Sequence, residues 1–482
     1  MESTDTKARG ALTRELTGRI HALPMSRWHY GMILLAGSAL IFDQADVGIA
    51  SSAEVSIAKS FGLQPVSLGI VISAAGIGAA SSAALIGLLA ERFGRRRLIV
   101  GSMLLFTLAT AAAATSVNLT ELLVFRVIAG IGFGGLLPLA WAFGSEFAPA
   151  RSRGRTLAWL NAFYGAGSAI AYLIGLLVIV HFGWRWGFAA FLVPSLLAFA
   201  IARFLPEGIP YLVRRGREQE ARAEVERIEA TVLGDRPRPE PVSDPAEHAA
   251  AAGSVLAATR QLFAREHLAA TISVLFAWPV PVIFMLGLMG FYPLIFITDL
   301  HLPASEVLSF LTFSAFVTIA GRLASGLVLD RIRAWSPSGL RLSLGIGVVL
   351  LGVMPFLVVS VHWNPAQLLT LLCVQFFTQG LWAGAAMTYA PTVFPLAIRS
   401  AGLGLFSALT NVASIVGPIV AGALLQFSGL QSLADWTLGV ALGSAVLVIA
   451  FGRRDRVATP AHADPVPSAA TRGQQLPVLT ED

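Results

Sequence analysis

The chain has 482 residues, of which 55% are hydrophobic and 13% charged, with a formal net charge of +6 at pH 7. Soluble domains carry about 25% charged residues, so this composition excludes a string of water-soluble domains and points to a membrane protein. The arginines sit mostly in short loops between apolar runs, which argues against a nucleic-acid partner, and the single cysteine, Cys373, offers no disulfide framework and no paired metal-ligand spacing.

Residues 1–27 are polar and basic, with Lys7, Arg9, Arg14, Arg19 and Arg27, and lack an apolar core followed by a small-residue cleavage site. They read as a cytoplasmic N-terminal segment and not as a removable signal peptide. A bilayer core about 30 Å thick needs roughly 20 apolar helical residues. Six runs meet that test within 28–205: Trp28–Ala50, Val66–Ala90, Leu98–Ser116, Leu119–Phe143, Leu157–Val180 and Trp184–Leu205. Residues 206–268 then turn to Arg, Glu, Pro and Ala and form a cytoplasmic connector, helical around Gly216–Thr231 and Pro-rich from Gly234 to Pro245. Six more runs fill 269–451: Ala269–Ile297, Ser305–Leu329, Leu340–Val361, Ala366–Tyr389, Ala401–Phe427 and Leu433–Phe451. The polar stretch 452–482 reads as a disordered cytoplasmic tail. The expectation is an all-α protein of twelve transmembrane helices in two pseudo-symmetric six-helix bundles, lying in the lipid bilayer of the plasma (inner) membrane and working as a monomer.

Positive charge tests that count. It appears before the first span, after the second at Arg92–Arg97, after the fourth at Arg151, Arg153 and Arg155, around the eighth loop at Arg331, Arg333 and Arg341, at Arg399, and at Arg453, Arg454 and Arg456. The alternate loops, such as His181–Trp184 and His362–Ala366, carry almost none. Positive-inside topology then places both termini in the cytoplasm.

Several polar residues fall inside apolar runs. Asp43 and Asp46 stand at i, i+3 on one helical face of the first span, where carboxylates cost roughly 2.5 to 3.5 kcal/mol on insertion scales and so mark function, unless both sit at a solvated outer end. Arg126 in the fourth span needs an anion, either a carboxylate of the first span or that of a bound substrate. Asn161, Tyr164, Gln375, Gln379, Trp382, Tyr389 and Asn411 are candidate cavity-lining groups, with interhelical hydrogen bonding the alternative for each. Arg322 is a further buried cation with no assignable partner in the sequence. Pro279 and Pro281 should bend or break the seventh span, a place for an outer gate. Runs such as Gly130–Gly135 suit close helix packing. Glu91, Arg95, Glu146 and Arg153 suit an ion-pair cluster at the cytoplasmic ends, with Gly87 permitting close contact.

The loop Gly87–Arg96, its echo at Gly326–Arg331, Arg126 followed by Gly130, Gly132 and Gly134, and Glu146, Pro149, Arg153, Gly154 and Arg155 together resemble the motifs of the major facilitator superfamily. Asp43 and Asp46 are similar to the Asp-Gly-x-Asp signature of its aromatic acid:proton symporters, with Gln44 standing where that family has Gly and Glu91 for the more usual loop Asp. The resemblance implies a secondary transporter that imports a small organic acid, aromatic in that family, with protons by alternating access. It also implies a cytoplasmic gate built from Gly87, Glu91, Arg95, Glu146 and Arg153, with Asp330 and Arg399 as second-half counterparts. A sugar-like metabolite carrier or a drug exporter of the same superfamily stays open, and a non-transporting sensor is the reading from another class. No Walker-type loop, nucleophile triad or metal-ligand cluster stands out, so no enzyme activity, cofactor or metal is expected.

Overall fold

The computed structural model describes residues 2–242, 255–335 and 339–452, and every regular element among them is helical. A helix α1 (Glu2–Ala22) precedes the spans. The first four spans are α2 (Arg27–Phe61), α3 (Pro65–Phe93), α4 (Arg95–Ala113) and the pair α5 (Leu119–Phe133) and α6 (Leu136–Phe147). The fifth is α7 (Arg153–Ile174), prolonged through a π turn at Gly175–Ile179 into α8 (Val180–Phe182), and the sixth joins α9 (Trp184–Ala189) to α10 (Ser195–Phe204). The connector forms α11 (Ile209–Arg214), α12 (Glu218–Leu233) and α13 (Val255–Leu262). The seventh span is in three pieces, α14 (Arg265–Ala277), α15 (Pro279–Gly290) and α16 (Tyr292–Thr298). The last five are α17 (Ala304–Trp335), α18 (Gly339–Ser360), α19 (Pro365–Val393), α20 (Leu396–Phe427) and α21 (Gly429–Phe451). Twelve spans are long and apolar enough to cross a membrane. Connector residues 243–254 and the tail beyond Gly452 lie outside the described residues.

The first span runs eleven residues past Ala50, where hydropathy alone ends it. Ser52 and Ser60 return their hydroxyls to the carbonyls of Gly48 and Ser56 in their own helix, at 3.0 and 2.9 Å. Polar residues that look like a helix end are thereby satisfied within it. The stop comes at Gly62, whose φ of 64° lets its N–H turn back onto the Ala58 carbonyl.

Glycines set the two bundles' internal crossings in matching places. A Cβ on Gly78 or Gly130 would overlap the carbonyls of Val127 or Ala75, so α3 and α5 touch backbone to backbone. In the second half a Cβ on Gly321 or Gly380 would overlap the carbonyls of Phe377 and Thr318, the same relation between α17 and α19. Lipid supplies no hydrophobic force between helices, so this close approach is where their packing energy comes from.

The buried apolar core is not shared evenly between the bundles. At the end away from Arg92–Arg97, the N-terminal bundle's core continues through Leu288, Tyr292, Phe296, Leu308, Leu311, Leu372 and Phe376 of the other half. At the basic end the C-terminal bundle has a separate core around Trp278, Leu344, Trp382, Tyr389 and Phe406. Close contacts follow the same division: Gly69 and Gly422 pack on the backbone of Pro418 and Pro65, Ser73 donates to the Ile415 carbonyl at 2.7 Å, and Val66 N–H donates to Gln426 Oε1 at 3.2 Å. The halves are therefore sealed together at the end opposite the basic loops.

Residues 1–27 are more than a polar leader. Leu12, Leu16 and Ile20 of α1 recur every four residues and are buried, and Leu23 follows them inward. Arg19 clasps Glu229 of α12 through two bonds of 2.8 and 2.6 Å, a carboxylate that holds its guanidinium above the ordinary arginine range. The helix and connector thus form a collar on the basic end of the N-terminal bundle.

Candidate functional site

Asp46 and Arg126 form a sealed ion pair. Both side chains are 0% exposed, with Arg126 Nη1 2.8 Å from Asp46 Oδ2 and Arg126 Nη2 3.3 Å from the Asp46 carbonyl. The Thr110 hydroxyl of α4 donates to the other carboxylate oxygen, and the Phe188 ring lies 5.7 Å from the guanidinium carbon. These contacts offset part of the desolvation of the buried pair; Arg126 Nε is buried without a hydrogen-bond partner among the described residues. Arg126 is thus occupied by the first span's carboxylate and is not directed at an empty site. Asp43 and Asp46 lie near the midpoint of α2, a helix about 52 Å long at 1.5 Å per residue, so neither is a solvated helix end.

Asp43 is buried as well, yet its carboxyl makes no hydrogen bond or ion pair among the described residues. Its neighbour in the fifth span is Tyr164, which feels the charge of both Asp43 and Arg322. Arg322 reaches out of α17 across the bundle interface, its guanidinium carbon 5.9 Å from the Tyr164 ring and its Nη1 donating to Asn161 Oδ1 at 2.7 Å and to the Asn161 carbonyl at 3.3 Å. Gly165 makes room for it, since a Cβ there would sit 2.7 Å from Arg322 Nε. That Nε is buried without a partner, and no carboxylate pairs with Arg322 among the described residues. The central groups are therefore two acids, two arginines and one neutral amide, with one arginine neutralised and one acid unengaged.

The other lining candidates divide. Trp382 is buried and gives its indole N–H to the Ala277 carbonyl at 3.0 Å. Pro281 has no N–H to offer that carbonyl four residues back, so Trp382 satisfies the group that the broken seventh span releases. It also stacks on Trp278 at 4.5 Å. Gln375 is committed to Tyr292 by two bonds of 2.9 and 2.6 Å, and Tyr389 shares a 2.9 Å bond with Ser273. Half-buried Gln379 points its amide at Met285 Sδ, 3.2 Å away. Asn411 is half-buried in α20, where its carbonyl accepts from Ser414 and its side chain makes no bond among the described residues.

At the basic end, Arg95 pairs with Glu146, whose other oxygen accepts the Ile209 N–H at 2.7 Å. Arg153 Nη2 approaches His21 of α1 at 3.2 Å, and His21 Nε2 lies 3.1 Å from the Glu146 carbonyl. These contacts tie the N-terminal bundle to its own collar and connector and do not cross to the other bundle. Arg399 is half-buried in α20, while the packing of Gly87 and the side chains of Glu91 and Asp330 lie outside what is described.

Two groups escape a reading of the sequence. Asn161 and Arg322 were visible singly, but their contact joins residues 161 positions apart. Glu54 was lost because the first span seemed to end four residues before it; it is 1% exposed and accepts the Leu294 N–H at 2.6 Å.

Comparison with known proteins agrees with this geometry. The family model described as Major Facilitator Superfamily matches residues 35–395. The niacin transporter NiaP of Acinetobacter baylyi is 31% identical over 407 residues, covering 84% of this chain and 89% of that protein. The benzoate transport protein of the same organism is 25% identical, covering 83% and 84%. The xylose transporter XylE from E. coli, in a partially occluded inward open conformation, superposes with a TM-score of 0.70 at 18% identity, covering 89% of this chain and 98% of that one. Because these matches run through both bundles, the chain belongs to the Major Facilitator Superfamily and is a transporter, not an enzyme.

Proposed function

We propose that the protein imports a small aromatic monocarboxylate, of the pyridine- or benzene-carboxylate kind, together with protons across the plasma membrane. The observation that carries this reading is Arg322, a buried guanidinium between the bundles whose one side-chain hydrogen-bond partner among the described residues is the neutral amide of Asn161. A buried cation without a counter-ion is costly, and a substrate carboxylate supplies the missing charge in the bidentate form that a guanidinium favours. The relatives named for niacin and benzoate carry molecules with such a carboxylate.

Asp43 supplies the coupling. An ionised Asp43 and an incoming carboxylate compete for the same local positive charge, so the anion binds best once Asp43 holds a proton. Asp46, already neutralised by Arg126, fixes the first span against the third and fourth while this happens. Positive-inside topology places α1 and the basic loops in the cytoplasm, which makes the sealed end external and the observed state inward-facing. Arg95, Glu146 and Arg153 then hold the N-terminal bundle's cytoplasmic ends, and Arg399 belongs to the corresponding end of the other bundle.

The test is uptake of labelled benzoate, nicotinate, a short aliphatic acid and xylose into proteoliposomes, with and without an inward proton gradient. Gradient-driven accumulation of the aromatic acids, lost in Asp43→Asn, is the expected result. Accumulation of xylose, or acid uptake indifferent to the gradient, contradicts the reading.

A further inference from the structure

The broken seventh span is held from across the bundle interface by one helix. The gap between α15 and α16 falls at Phe291. It releases carbonyls at the end of α15 and N–H groups at the start of α16. The first span takes one of each: Ser51 Oγ donates to the Gly290 carbonyl at 2.6 Å, and Glu54 Oε1 accepts the Leu294 N–H at 2.6 Å. Ser51 and Glu54 belong to the N-terminal bundle and α15 and α16 to the other, so both bonds must break for the sealed end to open. Tyr172 of α7 lies beside the set, its phenol close enough to interact with Ser51 and Glu54.

Glu54 is an unusual choice for such a clamp. Its second oxygen, Oε2, is buried with no partner among the described residues. Tyr172 is the titratable group that interacts with it from α7; α15 contributes none, and Tyr292 of α16 is turned to Gln375. Lys59 on its own helix, Asp299 at the far end of α16 and Arg185 of α9 make no ion pair with it; Arg185 lies 4.4 Å from the Trp184 ring and donates to the Ser116 carbonyl. A serine or glutamine would accept the same N–H without bringing an ionisable group into a dry interface. Closing the interface around a carboxylate with no cation is expensive unless the acid carries a proton.

We propose that Glu54 is a second proton-binding site, separate from the Asp43–Asp46 pair, which loads from the outside as the outer gate closes. In the open state Glu54 faces external water and ionises. On closure it takes a proton from that side on Oε2, keeps Oε1 for Leu294 N–H, and the first span locks onto both ends of the break. Reopening returns the proton to the outside, so Glu54 sets when the outer gate closes and does not itself carry a proton across. The inference rests on the external orientation given above, but its test needs neither substrate nor gradient, so its failure leaves the uptake reading standing.

The test is a spin-label distance between Gln64→Cys and Ser305→Cys, exposed positions on opposite bundles near the sealed end, in a Cys373→Ser background and in nanodiscs without substrate. The parent protein should shift from a short to a long distance as the buffer goes from acidic to alkaline. Glu54→Gln should lose that shift and stay short, Glu54→Asp should retain it, and Ser51→Ala should lengthen the distance in both buffers while keeping the shift. A pH-dependent shift that persists in Glu54→Gln, or its disappearance in Ser51→Ala, overturns the proposal, as does a parent protein whose distance ignores pH.

Discussion

The central residues show how far charge and depth can be read before contacts are known. Asp46 and Arg126 were both recognisable as buried charges needing partners, but their pairing spans 80 positions and no local pattern encodes it. Arg322 was recognisable as a buried cation, and its lack of a carboxylate became meaningful only when Arg126 proved to be occupied. The pair carries a prediction. Asp46→Asn leaves Arg126 buried and uncompensated, which should cost about 3–5 kcal/mol and lower the melting temperature clearly. The double variant Asp46→Asn/Arg126→Gln should recover most of that stability while remaining unable to transport. A single variant as stable as the parent would mean that water already reaches the pair.

Among the elements, the seventh span is the most informative. Pro279 and Pro281 announced its first break, and α14 does end at Ala277. The second break, at Phe291, had only Gly290 and Pro293 to signal it, residues common in unbroken membrane helices. The sequence marked Trp382, with Gln375 and Gln379, as a candidate cavity-lining group; it did not show that the indole answers a carbonyl freed by Pro281. Trp382→Phe keeps the ring and removes the donor, leaving the Ala277 carbonyl buried and unmet, at a cost of about 1–3 kcal/mol. Thermal unfolding in detergent checks this, and an unchanged midpoint would show that another donor replaces the indole. Two elements hold more structure than their hydropathy signals. The first span looked short because its last turns are polar, although those polar groups are bonded within or across helices. The N-terminal segment was read only as polar and basic, because Leu12, Leu16 and Ile20 are sparse among charged residues; their four-residue spacing is helical.

For the whole molecule, twelve spans and two halves were legible from apolar runs and the alternation of basic loops, because the bilayer fixes both. The conformational state was not legible. It emerges from where the apolar core is continuous: shared at one end, divided at the other. Arg322 lies in that interface, reaching from one bundle to Asn161 of the other, so a carboxylate bound there would touch both moving halves. Such a contact would couple occupancy to reorientation in the proposed transport by rocking bundles.

Recognition of the substrate rests on its carboxylate. The most direct measurement is equilibrium binding of nicotinate and of its neutral amide, nicotinamide, to the purified protein and to Arg322→Gln. A charge-assisted bond contributes about 1.5–3 kcal/mol, so the parent should bind the acid roughly ten- to a hundredfold more tightly than the amide. In Arg322→Gln that preference should vanish while the folded protein persists. An undiminished preference for the acid in Arg322→Gln would contradict the account, because the carboxylate would then be held elsewhere.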